Sequence, residues 1–308
     1  TSVTTPSKRL VGLSWTIWST SEMSDMKKAP QNPARESEPR APARQDLELL
    51  DRLATTIRPD DSDLQWWSSN YLRQHRSRLA FDLEIVGRHV APQSRVLECG
   101  AIPLLLTAAL AARQYEVSAV DVKPERFGEA ISALDLDVVQ CDIENEPVPF
   151  APRTFDAVLF NELFEHLRID PVFTLRDVHR VLKPSGVLVL STPNLRSFRG
   201  LRNLLLRNQG HAVSGGVYEQ YEKLERLGHM GHVREYTTRE VTDFLTRVGF
   251  RVERLIFRGG HGKGAVGIAE RLAPSLRPFF TVVAVKDGTN GVPNSAEPGS
   301  TSPKNRQQ

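Results

Sequence analysis

Two cysteines in 308 residues, no long apolar run and a net charge of only +3 set the first limits on this chain. Cys99 and Cys141 both fall in or beside strand-like core segments, which excludes a disulfide framework and suits a reducing compartment, so a cytoplasmic location is expected. No base is placed for Cys99, and it reads as a buried structural thiol. A membrane-spanning helix needs about 20 consecutive apolar residues; none occurs, so no span is expected. A charge of +3 is too small to point to nucleic acid by itself. Nor does the chain repeat itself.

What is present is enough for a full core. One large α/β domain with ragged ends fits this length better than two equal domains. Residues 1–45 are rich in Ser, Thr, Pro and charge and read as disordered. The apolar patch at 10–18 is interrupted by Ser14 and Thr16 and followed by no cleavage site, so a secretory signal is not expected, while Met23 and Met26 are alternative starts. Residues 46–90 read as a helical extension, 91–286 as the main domain with an insertion at 195–236, and 287–308 as a disordered tail. In the extension, Leu64, Trp67, Tyr71, Leu79, Leu83 and Val86 give an apolar face. Trp66 and Trp67 read as packing or as the edge of a substrate entrance.

From residue 95 the pattern alternates between strand and helix. A strand at 95–98, a turn at Gly100 and an apolar helix, with Pro103 in its first turn, form the opening unit of a doubly wound sheet. A second strand ends at Asp121, about twenty residues past the glycine turn, where a carboxylate can accept hydrogen bonds from both ribose hydroxyls of a nucleoside cofactor. A third ends at Asp142, which reads equally as a plain turn residue. The fourth, at 155–160, leads into Asn161-Glu162-Leu163-Phe164-Glu165-His166. If a helical turn starts there, Glu162, Glu165 and His166 stand at i, i+3 and i+4 on one face, a plausible half-site for a divalent metal; the alternative is a solvated helix face. His229 and His232, in a polar glycine-punctuated loop, are candidates to close it.

Asp170-Pro171 caps and starts a further helix. Residues 182–186 read as a tight turn before a fifth strand. Arginines 196, 199, 202 and 207 recur among the leucines of the insertion and could meet a phosphate, a carboxylate or an RNA backbone, or be a solvated face. Thr237 to Glu240 reads as a capping box for a helix that Gly249 stops. Two more strands follow. The GGHGKGA run from Gly259 lacks the hydroxyl residue of a phosphate loop and reads as a linker.

These segments together resemble the class I S-adenosylmethionine-dependent methyltransferases. The Glu98-Cys99-Gly100 turn is similar to the family's first motif, although Ala101 and Pro103 stand where further glycines are common. The Leu-Lys-Pro-Ser-Gly turn is also family-like. The Glu-x-x-Glu-His run resembles that of ubiquinone-biosynthesis O-methyltransferases and small-RNA terminal 2′-O-methyltransferases, and the segment from His232 to Thr237 resembles the one that completes the RNA enzymes' metal site. The resemblance implies a Rossmann-like, seven-stranded, mostly parallel sheet whose last strand is antiparallel, with a helical lid. It implies S-adenosylmethionine near Glu98, Gly100, Ala101, Asp121, Asp142 and Asn161, and a divalent Mg, Mn or Zn ion on Glu162, Glu165, His166 and His232. The activity implied is methyl transfer to a hydroxyl of a vicinal diol, with His166, His232 or His229 taking the proton, on a small molecule or a glycan- or lipid-linked precursor. The rivals are a metal-free enzyme with a histidine base, an RNA 2′-O-methyltransferase, a non-catalytic scaffold and, more remotely, a nicotinamide dehydrogenase.

Overall fold

A computed structural model describes residues 32–38, 41–227, 231–260 and 264–287. Residues 1–31 and 288–308, expected to be disordered, and the candidate base His229 lie outside these residues, as do the side chains of Trp66 and Trp67. The strands are β1 (Ala34–Ser37), β2 (Arg95–Cys99), β3 (Glu116–Asp121), β4 (Asp137–Gln140), β5 (Phe155–Asn161), β6 (Leu182–Pro193), β7 (Phe250–Arg258) and β8 (Phe279–Lys286). They form one sheet in the order β1-β7-β8-β6-β5-β2-β3-β4, in which β8 alone runs antiparallel to its neighbours. The antiparallel last strand is the expected one. The count is eight instead of seven because Ala34–Ser37, inside the segment read as disordered, pairs in parallel with β7. That edge strand is held by backbone groups, a Glu36–Arg254 ion pair and a 2.6 Å hydrogen bond from Gly259 N to Glu38 Oε1. None of these leaves an apolar period in the sequence.

The helices are α1 (Arg44–Thr56), α2 (Ser62–His89), α3 (Leu105–Ala112), α4 (Gly128–Ala133), α5 (Pro171–Val181), α6 (Phe198–Arg207), α7 (Val217–Leu227), α8 (Thr238–Val248) and α9 (Ala265–Leu272). Strand alternation sends Ala157 and Leu159 to one face, against Leu83 and Val86 of α2 and Ala109 of α3, and Val158 and Phe160 to the other, against Val178 of α5 and Leu245 of α8. Both covering helices on the second face start on the caps the sequence announces. Asp170 accepts from Val172 N and Phe173 N, and Thr237 and Glu240 complete a reciprocal capping box. Val172 itself stays 39% exposed, so the buried face of α5 begins one turn later.

The chain winds outward from β2 to β3 and β4, then returns to β5 on the other side of β2. The crevice at the carboxyl ends of β2 and β5 is therefore a topological switch point, where open α/β sheets bind ligands. Residues 182–186 differ from the expected turn: they belong to β6, whose register against β5 jumps from Phe155–Leu182 to Ala157–Val187. The tight turn survives as a bulge.

Candidate active site

The first wall of the crevice is the turn after β2. Gly100 has φ +74°, and a Cβ there would lie 3.2 Å from the Leu163 side chain, so the missing side chain lets this turn pack against the one after β5. Pro103 corrects an expectation. It precedes the helix in a cis peptide bond with Ile102, and α3 starts only at Leu105 because Leu104 is left-handed. Ala101 is buried under this turn. Asp121, at the end of β3, accepts from Ile102 N at 3.0 Å and Lys123 N at 3.1 Å, so the carboxylate expected at a ribose also braces the turn. Asp142 accepts from Glu144 N and from the Asn145 side chain, which turns its carboxylate to its own loop.

The second wall is α2, whose charged residues carry no expectation from the sequence. Tyr71, Arg78 and Asp82 line the crevice with Glu98, Gly100, Ala101, Ile102 and Asn161. Arg78 and Asp82 stand four apart on a helix whose Leu79, Leu83 and Val86 are buried, and charge on an apolar helix face is the signal that could have found them. Arg258, 2% exposed, donates to Asp82 Oδ1 at 2.7 Å and to Glu162 Oε1 at 3.1 Å. Arg78 donates to the Tyr71 hydroxyl and lies 3.9 Å from Glu162. Burial pushes the Glu98 carboxyl up to about 8, against a 2.5 Å hydrogen bond from Thr107. Both amide atoms of Asn161 are buried in this lining without a hydrogen-bond partner. Buried amides are rarely left so, and a ligand that pairs with Asn161 would complete it.

The third wall is the turn after β5, and here the expected helix does not form. Glu162 is left-handed, φ +50°, and only a 3₁₀ turn, Phe164–His166, follows. Glu162 and Glu165 therefore do not share a helix face. The Glu162 carboxylate instead takes Ser191 Oγ at 2.8 Å together with Arg258. Glu165 is buried; Oε2 accepts from Thr192 at 2.9 Å and Oε1 has no partner. Burial, and next the charge of Glu162, raise its carboxyl above the ordinary range.

The distant histidine segment reaches this turn through the backbone. Val233 N and Arg234 N donate to the Glu165 carbonyl at 2.8 and 3.3 Å, and Asn194 bridges Tyr236 at the end of β6. Ligand atoms of Glu165, His166 and His232 consequently lie within 4.8 Å of one another, with the two rings edge to face. Glu162, the fourth expected ligand, stands outside this group. His166 Nδ1 is 3.0 Å from the Gly231 carbonyl, which makes Nδ1 the donor and puts the ring's lone pair on Nε2. His232 Nδ1 lies 3.9 Å from Glu235, beyond hydrogen-bond reach. Two imidazoles and a buried carboxylate with an orphaned oxygen fit a divalent cation, which would also neutralise a charge that burial disfavours.

Residues 97–190 match the family described as Methyltransferase domain. A ubiquinone biosynthesis O-methyltransferase of Xanthomonas campestris pv. campestris is 33% identical over 137 residues, which cover 42% of this chain and 56% of that protein. Its namesake in Xanthomonas axonopodis pv. citri is 31% identical over the same extent. The chain thus spans little more than half the length of these relatives. Among solved structures, an S-adenosylmethionine-dependent methyltransferase from Thermotoga maritima aligns at TM-score 0.47 and 20% identity over 73% of this chain and 97% of that one. Residues 97–190, which carry the glycine turn after β2 and the turn after β5, are thus similar to the methyltransferase-domain family.

Proposed function

We propose that this chain is an S-adenosylmethionine-dependent O-methyltransferase that uses a divalent metal to bind a hydroxyl acceptor. The observation that carries the reading is the grouping of Glu165, His166 and His232 within 4.8 Å beside a switch-point crevice. S-adenosylmethionine would supply a methyl group on a sulfonium, and a divalent ion would lower the pKa of a bound hydroxyl. The chain's own residues do the rest by placement. Asn161 and Asp121 offer amide and carboxylate groups to the cofactor, and Arg78, held by Tyr71, offers a guanidinium to its carboxylate. Glu165, His166 and His232 would hold the metal, with Glu162 in reserve beside Arg258. His229, or a histidine of the group that is not a ligand, takes the acceptor's proton.

A metal that gathers two oxygens favours a vicinal diol, as in a catechol, a sugar or a terminal ribose. The relatives' name supports a quinone precursor among the small molecules and glycan- or lipid-linked precursors that would suit the site. Residues 195–236 act as its lid, and the protein works in the cytoplasm.

Calorimetry and chelation test the two halves separately. S-adenosylmethionine binds the wild type, and Asn161→Leu weakens it at least tenfold without lowering the melting temperature, because the buried amide has no partner to lose. No heat at millimolar cofactor would leave a scaffold. Catechol methylation falls at least a hundredfold after exhaustive chelation or in Glu165→Ala, and metal restores only the chelated wild type. Activity indifferent to both treatments leaves a histidine base and removes the metal.

A further inference from the structure

Three helices in or beside the insertion turn large apolar side chains to solvent. In α6, Gly200 and Asn203 are buried, while Leu205 and Leu206 are each 78% exposed. In α9, which packs against α6, Gly267 and Glu270 are buried while Ile268 is 57% and Leu272 81% exposed. In α7, Gln220 is buried and Tyr218 is 77% exposed. The contrast within this chain is α8, which buries Val241, Leu245 and Val248 in the usual way. Isolated exposed leucines are ordinary, but adjoining helices that turn their large apolar residues to solvent mark a surface that something else covers.

Charge selects the occupant. Residues 195–218 hold four arginines and no Asp or Glu, and Arg199, Arg202 and Arg207 of α6 are all exposed. Helix α7 carries Glu219 and Glu222 and does not share this bias. Among the described residues no helix is long and apolar enough to cross a membrane. An apolar face flanked by arginines on a short helix fits the interfacial plane of an anionic bilayer, with the leucines among the acyl chains and the guanidinium groups at the headgroup phosphates. We propose that α6 and α9 dock this protein on the surface of an anionic lipid membrane. The docked insertion is the one that delivers His232 to the site, since Gln220 of α7 accepts from His232 N at 3.0 Å. A lipid-borne acceptor would then meet the site from the bilayer side.

The test is sedimentation of the full chain with vesicles, read without cofactor or acceptor, so it stands or fails apart from the methyltransferase reading. The wild type pellets with vesicles of equal phosphatidylcholine and phosphatidylglycerol at least tenfold more than with phosphatidylcholine alone, and 0.5 M salt reduces the difference. Leu205→Glu with Leu206→Glu abolishes pelleting, and Arg199→Glu with Arg202→Glu lowers it at least fivefold, while both variants keep the wild-type melting temperature and circular dichroism. Wild-type protein that stays in the supernatant with both vesicles overturns the proposal. So does a dimer in light scattering that Leu205→Glu splits while vesicles bind nothing, since the face then belongs to a second copy. Pelleting that survives both double variants also overturns it, because another surface must then hold the lipid.

Discussion

Glu98 shows how a single side chain in the crevice couples the site to stability. Burial raises its carboxyl from the ordinary 4.5 to about 8. Between those values the folded protein holds a proton that the unfolded chain releases, so Glu98 makes stability fall as pH climbs from about 4.5 to about 8, with the full cost present above the upper value. Each unit of such a shift is worth about 1.4 kcal/mol. Thermal melts of ligand-free protein from pH 5 to pH 8 should show this decline, and Glu98→Gln should flatten it; an unchanged slope in the variant would assign the decline elsewhere. The acidic residue itself was legible from its place before Gly100, because strand-end carboxylates follow chain order. Its protonation was not, because that depends on Thr107 and on the helices packed above it. The same holds at Glu162. Its spacing to Glu165 predicts a shared helical face, yet a left-handed backbone and the reach of Arg258, 96 residues away, take it out of the histidine group.

At the scale of elements, one carboxylate organises the middle of the insertion. Glu235 accepts from Ala212 N, Val213 N, Ser214 N and Ser214 Oγ, so the loop before α7 folds around it. Burial pushes its carboxyl up, but these donors and the nearby His232 hold it down at about 2. Glu235→Ala leaves the buried N–H of Ala212 and the half-buried N–H groups of Val213 and Ser214 without an acceptor, at a cost of about 1–3 kcal/mol for a buried one. Hydrogen exchange should report it: amides of 212–214 lose at least tenfold protection, while the amides of β5 and β6 keep theirs. Equal loss across the sheet would mean that the loop is no separate unit. The elements with local signals were readable in advance. The Asp170 cap, the Thr237 capping box and the stop at Gly249 all sit where the residues imply, because each is a contact within one turn of chain. The bulge in β6 and the edge strand β1 were not, because pairing partners far along the chain define them.

For the whole molecule, the joint between the amino-terminal helices and the sheet includes a buried ion pair within an apolar contact. Asp82 of α2 and Arg258 of β7 are 1% and 2% exposed at the side chain and meet at 2.7 Å. Asp82→Ala leaves a guanidinium buried with only part of its charge answered, at a cost of about 3–5 kcal/mol. Scanning calorimetry should show a fall in melting temperature of roughly 6–20 °C, taking about 2–4 °C per kcal/mol at this size. A shift under 2 °C would mean that Glu162 alone satisfies Arg258. The sequence by itself determined the alternation of strands and helices and the carboxylates at the strand ends. These rest on apolar period and on turn chemistry, which are local. Only the tertiary structure decided which charges belong to the crevice, that Glu165, His166 and His232 meet while Glu162 turns away, and that α6 shows its leucines to solvent. Those depend on what lies opposite each side chain, and an opposite neighbour is set by packing across tens or hundreds of residues.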